Sequence, residues 1–329
     1  MIETIQMGKL RCAVGGFSKE LFISLVDYRN NLFTSNDDKK IIEFYNSFDD
    51  RNQLINWMKE RPKGASHIYE VEGDKDIIVV IPTADFEGKY AKGCRENIFK
   101  GIHMVFVESG KDDFYFNYAH NCNVGIKKAL EYNPKWIVVS NDDMRKIDEP
   151  EILRNSLMGL NPGEVDIVFT KESPDNYHST PTYLGRPNFF GKIYHFVEKL
   201  FKRKFFCIPY SKENFTKKYS LNVILLPKHE IIKVFFCRIK PVYATESFMV
   251  FSGNYARINM GNILNESFCN GAEDWDLSYR TFHKNINYGF IEYLIGEETG
   301  GTNGTGRNRA LRDIANISLF NQIHERDFE

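Results

Sequence analysis

At 329 residues the chain is long for one compact core and short for three, which implies one large α/β unit with attachments or two domains. Apolar residues at 42% and charged residues at 26% exclude wholesale disorder. The 43 basic and 44 acidic side chains leave a net charge of −1, so no global field selects nucleic acid as a partner.

Residues 1–75 read as an N-terminal extension. Within it, 48–61 (FDDRNQLINWMKER) predicts an amphipathic helix capped by Asp49 or Asp50 and stopped by Pro62. The polar stretch 70–76 (EVEGDKD) predicts a turn and a boundary. Residues 76–82 (DIIVVIP) predict a buried strand by their continuous β-branched content. A helix follows at 89–100, a strand at 102–108, a helix at 117–132, a strand at 136–140, a helix at 149–160 and a strand at 165–170. This alternation predicts right-handed βαβ crossovers in an α/β fold, with a mainly parallel, Rossmann-like sheet flanked by helices. Ligands of such sheets bind beyond the carboxyl ends of the strands. Those ends carry Thr83 and Asp85, Glu108, and the cluster Asn141, Asp142 and Asp143.

Residues 171–240 break the rhythm. The stretch 189–206 (FFGKIYHFVEKLFKRKFF) is aromatic and basic. It reads either as a core-facing helix with snorkelling lysines or as a face for an anionic membrane surface. Strands are predicted again at 247–252 and 288–295, then a glycine-rich segment at 296–306 and a terminal helix at 308–323. The longest aliphatic run, 77–81, is too short to span a bilayer, and the start of the chain does not read as a signal peptide. Six scattered cysteines without a CxxC pair read as reduced thiols. A cytoplasmic protein is expected, peripheral at most on the inner face of a membrane. His103, in a buried-looking strand, reads as a satisfied core residue.

Three constellations carry chemistry. In 138–144 (VVSNDDM), Asn141 and Asp143 stand two apart and project to one side of an extended backbone. Oxygen ligands just beyond a rigid strand suit a hard divalent cation with open positions for phosphate; the same residues also suit a loop or helix cap. In 271–280 (GAEDWDLSYR), Glu273, Asp274 and Asp276 surround Trp275 at a helix start. Adjacent carboxylates raise each other's proton affinity and so prepare a general base; they also complement a helix dipole. The glycine-rich segment has no lysine and lacks the order of a Walker loop, which excludes a P-loop. It reads as a surface loop or as a lid, with Arg307 and Arg309 able to contact phosphate.

In their order these segments resemble a GT-A glycosyltransferase, similar to the inverting family 2 enzymes and to the β-1,4-galactosyltransferase-like family. IPTAD at 81–85 resembles the family 2 opening, and FVESG at 106–110 sits where members carry an acidic residue near the nucleotide. FNYAHNCNVGIKKAL at 116–130 resembles the galactosyltransferase pattern F-N-R-A-x-x-x-N-V-G-F. SNDDM at 140–144 resembles the aspartate-x-aspartate metal motif or its Asn-x-Asp form. FSGNYARI at 251–258, followed by 271–280, resembles the acceptor-side segment ending in E-D-x-D-L-x-x-R. The likeness spans 76–295.

The resemblance implies an extension at 1–75, a nucleotide-sugar-binding half at 76–170, an acceptor-binding and catalytic half at 171–295, and a glycine-rich loop with a terminal helix at 296–329. It implies Asp143 and Asn141 as ligands of Mn²⁺ or Mg²⁺, and Asp274 as catalytic base beside Glu273. Donor contacts fall to Pro82, Thr83, Asp85, Glu108, Asn123, Asp142 and Arg307, and acceptor contacts to Trp275 and Asn254. Tyr118 stands where the galactosyltransferase pattern has arginine, so the donor sugar is not carried over. The histidine metal ligand of many relatives is missing from 296–301 (GEETGG), leaving Glu297, Glu298 or a water for that part. The implied activity is transfer, with inversion, from a UDP- or GDP-sugar to a carbohydrate, glycolipid or glycoprotein acceptor. A sugar-nucleotide pyrophosphorylase-like enzyme and a catalytically silent carbohydrate-binding protein of the same fold are the alternatives. Peripheral membrane contact through 189–206 and a homodimer complete the expected partners.

Overall fold

The computed structural model describes residues 37–111, 113–170, 181–191, 193, 215–219, 221, 224–226, 237–243, 247–282, 286–297 and 306–324. Two short helices open it, α1 (Asp38–Asn46) and α2 (Arg51–Glu60). Each begins on an aspartate that accepts from the first turn: Asp37 from the Lys39 amide, and Asp50 from the Gln53 amide, both at 2.9 Å. Pro62 lies just beyond α2 and cannot continue it.

The central α/β unit then runs β1 (His67–Val71), β2 (Asp74–Thr83), α3 (Lys89–Gly93), a π-helical turn at Cys94–Ile98, β3 (Ile102–Glu108), α4 (Tyr118–Leu130), β4 (Trp136–Ser140), β5 (Met144–Lys146), α5 (Pro150–Met158) and β6 (Ile167–Thr170). Next come β7 (Pro181–Pro187), α6 (Phe215–Lys218), β8 (Ile224–Leu226), β9 (Cys237–Tyr243), β10 (Phe248–Ser252), α7 (Gly253–Ile258), α8 (Glu273–Phe282), β11 (Tyr288–Ile291), β12 (Ile295–Glu297) and α9 (Gly306–His324). The main sheet has seven strands in the order β1-β3-β2-β4-β10-β6-β11. Small sheets pair β12 with β5 and arrange β8-β7-β9.

The sheet is mixed, where mainly parallel pairing was expected. Strand β10 lies antiparallel between β4 and β6, and edge strand β1 is antiparallel to β3. The pairings β2–β3, β2–β4 and β6–β11 are parallel. Between β6 and β10 the described chain contributes β7, β8 and β9 to a separate sheet, so β10 is not the next strand of a βαβ unit and the right-handed crossover rule does not set its direction. The sheet also starts earlier than the turn expected at 70–76. Residues 67–71 pair with β3, and Tyr69 stacks on Phe86 at 4.5 Å. The single strand expected at 288–295 is two strands in different sheets. Asp148 holds the break: its carboxylate accepts from the Leu294 amide at 2.7 Å, and its own amide donates to the Leu294 carbonyl at 3.0 Å.

Strand alternation sends side chains to two cores. Ile77, Val79 and Ile81 of β2 face one layer with the π-turn and α5; Ile78 and Val80 face the other, with α4, α7 and α8. Each fully buried aliphatic side chain contributes ~1.5–3 kcal/mol. Gly125 sets how closely α4 sits on the sheet: a Cβ there would come within 2.3 Å of Val80 Cγ1. A third core joins α1 and α2 to α9. The Tyr45 hydroxyl donates to the Leu311 carbonyl at 2.7 Å and accepts from the Ala315 amide at 3.1 Å. The N-terminal helices are thus bonded to the C-terminal one. No helix among the described residues is long and apolar enough to cross a membrane.

Candidate functional site

Strands β2, β3 and β4 end along one edge of the sheet, at Thr83, Glu108 and Ser140. Because β10 is antiparallel, its beginning lies there too: Phe248 pairs with Ser140. Four turns therefore meet. The Thr83 hydroxyl donates to Asp142 Oδ2 at 2.6 Å, and the Ser109 amide donates to the Thr83 carbonyl at 3.0 Å. Glu108 Oε2 accepts from the Phe86 amide at 2.7 Å. Asp85 is paired with Lys111 at 2.7 Å, and this contact holds its carboxyl below the usual range. The Cys94 thiol, in the π-turn, donates to the Asp142 carbonyl at 3.3 Å. Burial, followed by the neighbouring charge of Asp143, pushes Asp142 up to about 6 against the Thr83 hydrogen bond.

Asn141 is held twice by Ser247. Its amide donates to the Ser247 carbonyl and its Nδ2 to Ser247 Oγ, both at 2.9 Å. Ser247 Oγ in turn donates to Glu297 Oε1 at 3.0 Å. Glu297 is delivered by β12, in which it pairs with Met144.

A second acidic group lies at the start of α8. The segment before it is fastened to the start of α4, which leaves the same sheet edge after β3. The Tyr118 amide donates to Asn270 Oδ1 at 2.8 Å, and Asn117 Nδ2 donates to the Phe268 carbonyl at 2.9 Å. Asn270 and Ala272 adopt φ of 55° and 63°. Left-handed backbone at an alanine is strained, and strain of this kind clusters at functional sites. Glu273 and Asp274 follow at once, 6% and 8% exposed. Burial, opposed by backbone hydrogen bonds at Glu273 and Gly271 and by the Arg309 charge, and reinforced by Asp313, raises Glu273 to about 7. Its Oε2 is buried and has no hydrogen-bond partner among the described residues. Tyr118 and Cys122 lie within electrostatic range of Glu273; burial first, with the Glu273 charge adding to it, holds both well above their usual values, against the Tyr118 hydrogen bond that lowers the Cys122 thiol. Asp276 differs from its neighbours. It is fully buried and closed between Arg280 Nε at 2.7 Å and His324 Nε2 at 2.9 Å.

The sequence-derived site residues divide accordingly. Thr83, Asp85, Glu108, Asn141, Asp142 and Asp143 share the carboxyl edge, and Glu273 and Asp274 sit beside the helix that leaves it. Asn254 does not join them: it is exposed on α7, which follows the end of β10, and antiparallel pairing sets that end (Ser252) beside Trp136 at the opposite edge. Asn123 is spent on structure. Its Oδ1 accepts from the Ile263 and Leu264 amides, and its Nδ2 donates to the Leu264 carbonyl and Glu266 Oε1. Pro82 is buried within β2 opposite Val107. Trp275 is half-buried against the helical core, edge-on to Phe320 at 6.5 Å. His103 is fully buried, as expected, with Nε2 bonded to Glu70 at 3.1 Å, but its Nδ1 has no hydrogen-bond partner among the described residues, so it is only half satisfied. The Arg307 side chain, Glu298 with the glycine-rich segment 298–305, and residues 194–206 of the aromatic-basic stretch lie outside the described residues; Phe189 and Phe190 at its start are exposed.

Ser247 and Cys94 were not singled out from the sequence. Ser247 directly precedes a strand, but the direction of that strand, which brings it to Asn141, has no local signature. Among the described residues no cluster of three or more His, Cys, Asp and Glu side chains could hold a metal ion alone. The donors after β4 are the carboxylates of Asp142 and Asp143 and the amide oxygen of Asn141, all hard. Such a set fits Mg²⁺ or Mn²⁺ bound through one or two carboxylates, with water and ligand phosphate completing the shell. Compared with protein-family models and with curated protein sequences, the chain matches none.

Proposed function

We propose that the chain is an inverting glycosyltransferase of the GT-A type, moving a sugar from a nucleotide diphosphate to an acceptor hydroxyl with the help of a divalent cation. One observation carries the reading: a hydrogen-bonded carboxylate turn after β4 and a desolvated carboxyl pair at the start of α8 both lie toward the carboxyl edge of one sheet. The order of motifs, IPTAD to EDWDL, supports it.

Asp143 and Asn141 would hold the cation, with Asp142 fixed beside them by Thr83. A Mn²⁺ or Mg²⁺ held by these residues would supply positive charge to offset the diphosphate of the leaving group. Asp274 takes the proton of the acceptor hydroxyl while its oxygen attacks the anomeric carbon. The new C–O bond forms on the face opposite the departing diphosphate, so the configuration inverts. Glu273 keeps its own proton up to about neutral pH, which lessens like-charge repulsion on the base beside it.

A panel of nucleotide sugars with Mn²⁺, scored by thermal melting, tests the reading, because a ligand that binds only the folded state raises the melting temperature. One nucleotide class should stabilise the chain, and a chelator should remove the effect. No response to any UDP- or GDP-sugar would reject it.

A further inference from the structure

We propose that Ser247 is a positioning residue that fixes which end of the Asn141 carboxamide faces Asp142 and Asp143, and that the Glu297 carboxylate is the reason residue 141 is an amide. The consequence for substrate rests on the glycosyltransferase reading; the hydrogen-bond relay rests on geometry alone.

Three segments distant in the chain converge on the side chain of Ser247, a residue 5% exposed. Ser247 Oγ has a single proton to give. Glu297 Oε1, at 3.0 Å, is a carboxylate oxygen and only accepts, so the proton goes there. The hydroxyl must then accept from its other neighbour, and the Asn141 Nδ2 group at 2.9 Å supplies that donor. The relay has one direction, from Asn141 through Ser247 to Glu297. It turns Nδ2 toward Ser247 and leaves Oδ1, the hard donor, for the other side. The main-chain bond from the Asn141 amide to the Ser247 carbonyl, at 2.9 Å, keeps the two residues in register. Pairing of Glu297 with Met144 keeps the far end of the relay next to Asp143.

An aspartate at 141 would leave Ser247 between two acceptors with one proton. Exchanging both ends, with aspartate at 141 and glutamine at 297, would reverse the relay and satisfy it again. This accounts for an amide where the resemblance has aspartate in many members.

The test is a cycle of four proteins: parent, Asn141→Asp, Glu297→Gln, and both together. Each is followed by thermal melting and by binding of UDP and GDP in the presence of Mn²⁺. Asn141→Asp is expected to lower the melting temperature and to weaken nucleotide binding about tenfold, the loss of roughly one hydrogen bond. The double variant should recover both to near the parent. In a Ser247→Ala background the second substitution should no longer rescue the first. A metal site ruled only by ligand charge gives the opposite sign, since a third carboxylate would tighten Mn²⁺-dependent binding; that result, or additive melting shifts in the cycle, overturns the relay. If the parent binds neither nucleotide while the melting cycle shows rescue, the relay stands and the glycosyltransferase reading falls.

Discussion

The turn after β4 and the start of α8 both present adjacent carboxyl groups, yet they are built in opposite ways. At the β4 turn the polar groups are fastened from outside: Thr83 holds the Asp142 carboxylate, Ser247 the Asn141 amide and the Cys94 thiol the Asp142 carbonyl. At the start of α8 the fastening is in the preceding backbone, through Asn270 and the left-handed Ala272, and Glu273 is left desolvated. The first arrangement fixes oxygen positions, as a cation with phosphate demands. The second shifts proton affinity, as acid–base chemistry demands. Asp276, two residues further on, shows what a structural carboxylate looks like in this fold: buried, and answered by both Arg280 and His324.

The sharpest way to break this contrast is to neutralise each side in turn. Asp274→Asn should reduce transfer by about 10²–10⁴-fold, the usual worth of a general base, with nucleotide binding largely kept. Unchanged turnover would remove the base from α8. Asp143→Ala should instead abolish the Mn²⁺-dependent part of nucleotide binding, and EDTA on the parent should do the same; calorimetry with and without chelator separates the two. A variant still responsive to Mn²⁺ would move the cation elsewhere.

A pH series sharpens the contrast without substrate. Glu273 sits near 7 in the fold against an ordinary 4.5, so the native state binds the extra proton between those values. Stability should therefore fall as pH rises from about 4.5 to about 7 and level off above, by on the order of 3 kcal/mol at most. Glu273→Gln removes the charge and should flatten this part of the melting profile, leaving the variant more stable than the parent at pH 8. An identical slope in both proteins would mean that Glu273 does not titrate in that window. The smallest effect is reserved for Asn254→Ala. At the far edge of the sheet and exposed, it should leave transfer unchanged and stability within about 0.5 kcal/mol. A large loss of transfer there would overturn the division of the molecule into a chemical edge and a structural one.

Much of this was legible in the chain before any coordinates. The runs at 77–81, 102–108 and 136–140 are continuous enough in apolar residues to mark strands buried on both faces, and each lies in a strand of the main sheet. A strand that ends in a polar cluster tells where polar groups will gather, because a parallel strand's end is followed by a loop at one edge. That logic reached Thr83, Glu108 and Asp142. Asn254 and Asn123 came from the resemblance and not from that logic: antiparallel β10 sets Asn254 at the opposite edge, and the Asn123 amide is bonded to the backbone at 263–264.

What the order of residues decided unaided was the central run of elements, β2, β3, α4, β4, α5 and β6, and which turns beside them carry carboxylates; β1 ran into an expected turn, and β11 and β12 read as one strand. Those choices depend on interactions within a few residues, and local periodicity records them. What the fold alone decided was direction and partnership: that β10 runs against β4, that Ser247 meets Asn141 and Glu297, and that Asp276 closes on Arg280 and His324 while Glu273 Oε2 stays buried with no hydrogen-bond partner among the described residues. Such contacts join residues tens to hundreds apart, and their free energy exists only once the chain has closed on itself.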